Sequence, residues 1–304
     1  DYFVDEEVLT DVVISIAVNG ETQYNESDLV VLPLQWRDVS KIYETDRYND
    51  QLPPSHERIV EWMNTDFYDN RYTSIDPLLF NLEAGVNNIE ITTKSLNDIF
   101  TGQLKVVAPK RLMSYETYLS AHPDKYPNET IVVNSIEYVS KNSPFVRPDN
   151  ETTPNAFPAN NKNKMINILS GWDKAGQEIV FDVSVEEAGF YSIYTHGLVF
   201  EYDFSIFRTI KINGEVPFEE AQSLEISETN EKYEITDFGY KFYLNAGENT
   251  ISFKNEVGMF SQSIDDLQYL INHINEFSLD VKKASGSNID KDRNHYPKHC
   301  TECF

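Results

Sequence analysis

A chain of 304 residues with 50 Asp and Glu against 25 Lys and Arg carries a formal net charge of −25. Such a charge repels phosphate backbones and anionic headgroups, which argues against a nucleic-acid partner and against adsorption to a membrane surface. The 18 Tyr, 18 Phe and 3 Trp argue against disorder, and the length suggests about two domains.

In chain order, residues 14–27 read ISIAVNGETQYNES. Apolar residues alternate up to an Asn-Gly pair, the signal of a strand entering a tight turn. Next comes a long segment, QWRDVSKIYETDRYNDQLPPSHERIVEWMNTDFYDNRY, dense in aromatics and acids. Residues 80–91, FNLEAGVNNIEI, read as a further turn and strand. In SYETYLSAHPDKYPN, Tyr115, Tyr118 and Leu119 recur at helical spacing, Ser114 can cap and Pro123 stops the run, so a short helix is expected. TIVVNSIEYVS reads as strand, and the Pro- and Asn-rich stretch after it as loop. GWDKAGQEIVFDVSVEEAGFYSIYTHGLVF alternates in two strands around Glu-Ala-Gly, with Phe181, Val183 and Val185 on one face. SIDDLQYLIN is expected to be the last strand, and the chain beyond Asn275 a linker.

Two blocks recur. Residues 14–27 match RTIKINGEVPFEEA, residues 208–221, at an offset of 194, with five of 14 positions identical. Residues 80–91 match FYLNAGENTISF, residues 242–253, at an offset of 162, with six of 12 identical. Two blocks in the same order argue for a duplicated module, the first copy carrying 194 − 162 = 32 extra residues. The expected organisation is mainly β, as antiparallel jelly-roll β-sandwich modules in tandem joined by a short helix. The first module spans 1–110 with an insert at 33–72, a helical linker spans 111–127, the second, complete module 128–272, and a tail 273–304. The second copy has a strand-rich run ahead of its matching block and the first almost none, so the first is expected to be truncated in its N-terminal half.

Several residues could carry chemistry. A flat ring takes the C–H face of a sugar, and planar polar groups take its hydroxyls. In the insert Trp36, Tyr43, Tyr48, Trp62, Tyr68 and Tyr72 alternate with Asp38, Asp46, Asp50 and Asp69, and a long insert in a compact module is often functional. The competing reading is that these rings pack the insert onto its own sandwich. In the second copy the candidates are Trp172, His196, Tyr202 and Arg208; Trp172 as a core residue and Arg208 as the partner of an acid are the alternatives. Each Asn-Gly-Glu reads as a turn rather than a ligand contact. Acid pairs such as Glu186-Glu187 and Asp265-Asp266 are expected by chance among 50 acids, and no Ser-His-Asp set, HExxH or phosphate loop occurs, so no catalysis is expected. Cys300 and Cys303 lie near His295 and His299, but no second Cys pair completes a zinc site, and a tail is the expected reading.

GWDKAGQEIVFDVSVEEAGFYSIYTHGL, RTIKINGE, FYLNAGENTISF and IDDLQYL together resemble the galactose-binding-like β-sandwich carbohydrate-binding modules. The first copy matches the later motifs but has Ile14 where the second has Arg208. NGEVPFEEA, YETYL and the aromatic insert look like tandem modules of extracellular solute-binding lipoproteins that serve Gram-positive sugar ABC transporters. The resemblance implies an extracellular or cell-surface location and a carbohydrate partner. It further implies the remainder of a solute-binding protein and its ABC transporter as partners. It also implies a structural calcium between a first-strand and a last-strand acid, for which Glu137 and Asp265 or Asp266 are the candidates. Two alternatives remain: accessory domains with no ligand of their own, and ancillary modules of a glycoside hydrolase.

Overall fold

The computed structural model describes residues 1–95, 97–153, 155–159, 165–199, 205–227, 229 and 232–285. Tyr202, Cys300 and Cys303 lie outside them. The strands in chain order are β1 (Tyr2–Val4), β2 (Val12–Val18), β3 (Val30–Leu32), β4 (Trp36–Asp38), β5 (His56–Arg58), β6 (Tyr68–Asp69), β7 (Ile89–Thr93) and β8 (Ile99–Thr101). Helix α1 (Tyr115–Ala121) follows, and then β9 (Ser140–Lys141), β10 (Arg147–Asp149), β11 (Ile168–Ser170), β12 (Glu178–Val185) and β13 (Gly189–Gly197). The last are β14 (Ile206–Ile212), β15 (Leu224–Ile226), β16 (Glu234–Leu244), β17 (Gly247–Glu256) and helix α2 (Ser261–Ser285). The protein is mainly β, and the pairings between named strands are antiparallel.

A seven-stranded sheet runs β15-β14-β17-β12-β9-β4-β5, and a four-stranded sheet runs β6-β3-β2-β7. β13 and β16 pair as a second layer over the core of the second copy. Val183 and Val185 of β12, Ile210 and Ile212 of β14, and Ile251 and Phe253 of β17 meet Phe190 of β13 and Phe238, Phe242 and Leu244 of β16. Strand alternation sends every second residue inward, which is why these positions are two apart. The Glu-Ala-Gly turn carries the chain from one layer to the other, since β12 pairs with β17 and β9 while β13 pairs with β16.

The two repeated blocks build the same three-strand unit. In the first, Val12 faces Leu32 and Ile16 faces Ile91; in the second, Ile206 faces Ile226 and Ile210 faces Phe253. These pairs differ by the two sequence offsets. Both turns have positive φ at both central residues, 54° and 85° at Asn19-Gly20 and 51° and 82° at Asn213-Gly214. That is the backbone Asn and Gly tolerate best. Each turn Asn also pins its neighbour strand. Asn88 N donates to Asn19 Oδ1 (2.9 Å), as Thr250 N does to Asn213 Oδ1 (2.9 Å). Asn19 Nδ2 donates to Asn87 Oδ1 (3.1 Å), as Asn213 Nδ2 does to Asn249 Oδ1 (3.2 Å). Asn-Gly-Glu is therefore a structural motif here.

The structure departs from expectation at three places. First, β4 and β5 of the insert pair with each other and, through β4, with β9, so one sheet crosses the expected boundary at residue 110, and the second sandwich is not complete within 128–272. Residues 1–258 form one compact unit. A buried network accompanies the junction: Tyr138 OH donates to Asp38, Lys141 Nζ lies 3.8 Å from the same carboxylate and donates to the Val146 carbonyl. The sequence cannot show this, because pairing across a boundary has no local signature. Second, TIVVNSIEYVS is not a strand along its length. Asn134 and Glu137 form a capping box around a 3₁₀ turn, Ser135–Glu137, and only Ser140–Lys141 joins a sheet. Third, SIDDLQYLIN opens α2, which runs through the expected linker to Ser285 and belongs to a separate unit beginning at Met259. Ten residues are too short a window to tell a helical period from a buried strand; Ile264, Leu267, Ile271 and Ile274 show the period over a longer one.

The expected helix is present as α1. Ser114 Oγ accepts from Thr117 N, and Tyr118 is buried against the second core. Its OH accepts from Tyr243 N (2.7 Å), while Tyr115 OH accepts from Lys241 N (2.9 Å).

Candidate functional site

β1 lies between β8 on one side and a bridge to Met63 on the other, with Tyr2 N to Met63 O at 2.9 Å and the reciprocal bond at 2.8 Å. The pleat sorts the side chains. Tyr2, Val4 and Met63 turn into the first core, and Phe3, Phe100 and Trp62 turn outward. Phe3 stands 5.9 Å from Trp62 and 6.0 Å from Phe100 between ring centroids. The three rings form one apolar surface, on which Trp62 remains 57% exposed. Gly102 makes room for it: a Cβ there would sit 3.1 Å from Trp62 Cζ3 and 3.3 Å from Asp1 Cβ. The indole therefore lies over a glycine, with the Asp1 side chain at the same spot and the exposed Glu61 next in sequence. An exposed ring face can stack on the apolar face of a sugar.

The other expected residues are not gathered there. Trp36 is 5% exposed, sits in the first core and packs edge-on to His56 at 5.4 Å, so it offers no face to a ligand. Tyr43 is half-buried, and burial pushes its pKa up to about 12. Asp46 folds its own loop, accepting from Tyr48 N (2.8 Å) and Asp50 N (3.0 Å). Asp69 is buried and accepts from Arg71 N, Thr73 N and the Thr73 hydroxyl. Trp172 packs between two core clusters and donates Nε1 to Gln177 O (3.1 Å). The Arg208 guanidinium lies 4.0 Å from the Trp172 ring, is 7% exposed and pairs with no carboxylate among the described residues; burial pushes its pKa down to about 9. The expectation of an acid partner is replaced by a cation–π contact. His196 is exposed at the end of β13, 5.7 Å from the Tyr233 ring.

Sequence reasoning missed Phe3, Phe100 and Gly102. The alternation in DYFV and DIFTG was visible, but not that these strands pair.

A second concave place lies between β15 and β16. A groove of about 450 Å³ is lined by Leu224, Phe238 and Tyr240 together with Glu219, Glu220, Glu225, Asp237 and Ser223. Three of its acids are engaged: Glu220 accepts from Tyr115 N (3.0 Å), Asp237 from Gly239 N (2.9 Å) and Glu225 from the Ser205 hydroxyl.

The residues do not fit the calcium expectation. Glu137 accepts from Asn134 N and Nδ2 in the capping box, and Asp265 and Asp266 lie on a helix where the pattern needs a last strand. No cluster of three or more metal-ligating side chains occurs among the described residues.

No family model matches the chain, and no curated protein matches it. Among solved structures, the chain is similar to a family 35 carbohydrate-binding module from Clostridium thermocellum, at 16% identity and a TM-score of 0.28, over 33% of this chain and 74% of that one. It is similar to the Podospora anserina GH26-CBM35 β-(1,4)-mannanase at 15% identity and a TM-score of 0.28, over 41% of this chain and 24% of that one. A ruminal GH26 endo-β-1,4-mannanase gives 27% identity and a TM-score of 0.21, over 25% of this chain and 14% of that one.

Proposed function

We propose that this chain is a non-catalytic carbohydrate-binding protein that holds its ligand on the Phe3–Trp62–Phe100 surface. One observation carries the reading: Trp62 alone of the three tryptophans keeps a large exposed area, and it lies over a glycine. A ring held by its neighbours loses little rotamer freedom when a sugar stacks on it. The sequence motifs of the galactose-binding-like modules support the same ligand class. Equal turns, registers and side-chain bonds in the two three-strand units support descent from one duplicated module. A place at the cell surface in a sugar-uptake protein follows from the motif resemblance and belongs to this proposal. The absence of catalysis is part of it too: Glu187 of the Glu186-Glu187 pair is held by Lys125 at 2.7 Å.

Calorimetric titration with a glycan panel tests the reading. Trp62→Ala should weaken binding by about 1–2 kcal/mol, roughly 5–30-fold in Kd, as for a modest interface anchor. The thermal midpoint should change little, because an exposed ring adds little to the core. No heat with any glycan would favour the second reading, a structural accessory without a ligand. Trp36, Trp172 and Asp69, all engaged inside the fold, are the observations on its side.

A further inference from the structure

β7 ends the sheet of the first copy. It pairs with β2 along one side, and among the described residues no strand lies along the other. The bonds at its two ends fix where its backbone groups point: Asn19 N donates to Asn88 O (2.8 Å), and Lys94 N donates to Val13 O (2.8 Å). Backbone groups alternate along an antiparallel strand, so those of Glu90 and Thr92 meet β2, and the N–H and C=O of Ile89, Ile91 and Thr93 point outward. No bulge or proline blunts this edge, and residues 90–93 are exposed. A row of free donors and acceptors of this kind is a template for one more strand.

We propose that the open edge of β7 takes up an extended segment of a second polypeptide as an added antiparallel strand, apolar opposite Ile89 and Ile91 and basic where it reaches Glu90. The second copy shows what such an edge holds. At the same offset Ile251, Phe253 and Asn255 turn toward β12, where Phe181 lies opposite Ile251 and Ile179 opposite Phe253, and Asn255 N donates to Gln177 O (2.9 Å). Apolar residues two apart on the added strand therefore continue the core side of the sheet. Charge sets the residue between them and the strand's end. On the outer face Glu178 of β12 accepts from Ser252 Oγ (2.6 Å) and pairs with Lys211 at 3.0 Å. The first copy has Glu90 in place of Ser252 and Ala17 in place of Lys211. A second β12 would set an acid against Glu90 with no ammonium to balance it, whereas Lys or Arg at that position meets an opposite charge. Main-chain bonds supply the affinity of strand addition and alternate side chains its specificity.

The probe is a synthetic peptide of residues 177–185 carrying Glu178→Lys, added to the full chain at about 0.1–1 mM, the range of weak association. Amide hydrogen exchange read by NMR should find Glu90 and Thr92 slow in the free chain and Ile89, Ile91 and Thr93 fast. The peptide should slow those three and leave the other two as they were, a pattern that a ligand on the Trp62 surface does not produce. The unaltered peptide, with Glu178, should bind about 5-fold more weakly, and Glu90→Lys in the chain should reverse that order. Ile91→Pro removes an outward N–H and no bond to β2, so it should leave the sheet intact and weaken binding about tenfold or more. Ile91→Lys sets a charge against the added strand while keeping its ammonium in water, and should weaken binding as much even where the proline variant fails to fold. Slow exchange of Ile91 and Thr93 in the free, dilute chain overturns the proposal. So does a peptide that leaves all three amides fast, or equal binding of the two peptides by the chain and by its Glu90→Lys variant. Protection that appears when the chain alone is concentrated overturns it as well, and gives the edge to a second copy.

Discussion

The three-strand unit of β3, β2 and β7 and that of β15, β14 and β17 share a turn, a register and their side-chain bonds, yet end in different surroundings. β17 has β12 beside it, and residues 252–255 are buried. Among the described residues β7 pairs only with β2, and its counterparts, residues 90–93, are exposed. The aromatic pair that closes each unit shows the same contrast. Tyr24 and Phe80 stand 5.7 Å apart near the surface, whereas Phe218 and Phe242 stand 5.4 Å apart with both rings fully buried. At the start of the middle strand, Ile14 joins an apolar core while Arg208 stacks on Trp172. Local chemistry thus specifies the hairpin and its register. What lies against the hairpin is specified elsewhere, which is why one copy can bury what the other exposes.

The largest test of this contrast is the ring pair. Phe218→Ala should destabilise by about 3–5 kcal/mol in denaturant unfolding, as core aromatic truncations do. Tyr24→Ala, at the matching position, should cost only about 1 kcal/mol, the usual size away from a packed core. Equal losses would break the comparison.

Asp38→Ala tests the seam between the copies. It leaves the Lys141 ammonium, fully buried, without its carboxylate, and loss of one partner from a buried pair costs about 3–5 kcal/mol. The unfolding transition should stay single, because the sheet crosses this point. Two separate transitions in the wild type would show that the copies fold apart.

The turn asparagines should behave alike. Asn19→Ala and Asn213→Ala each place Ala at positive φ and remove the bond to the neighbour strand, for about 1–2 kcal/mol apiece. Asn→Gly at either position should recover part of the loss. Thermal midpoints of the four variants would show whether the two turns are energetically equivalent as well as superposable.

Much of this was legible in advance, and the reasons are local. Asn-Gly needs positive φ, so both turns could be read from two letters each. Ser114 and Pro123 bound a helix because a cap and a missing N–H act within one turn of chain. The repeat appeared because equal local demands were met with equal residues. In the insert, composition pointed to rings that could hold a ligand, but not to which ring.

By itself the sequence determined an acidic, aromatic-rich, mainly β chain with two like hairpins. Turn geometry, alternation and capping depend on residues a few positions apart. Tertiary structure alone decided that β4 and β5 extend a sheet of the second copy, that Trp36 and Trp172 are enclosed, and that Trp62 lies open over Gly102. Whether a ring is buried depends on which distant strand arrives over it. Trp62 is open because Phe3, from another strand, and Gly102, just past the end of β8, lie against it and nothing among the described residues closes over the exposed part.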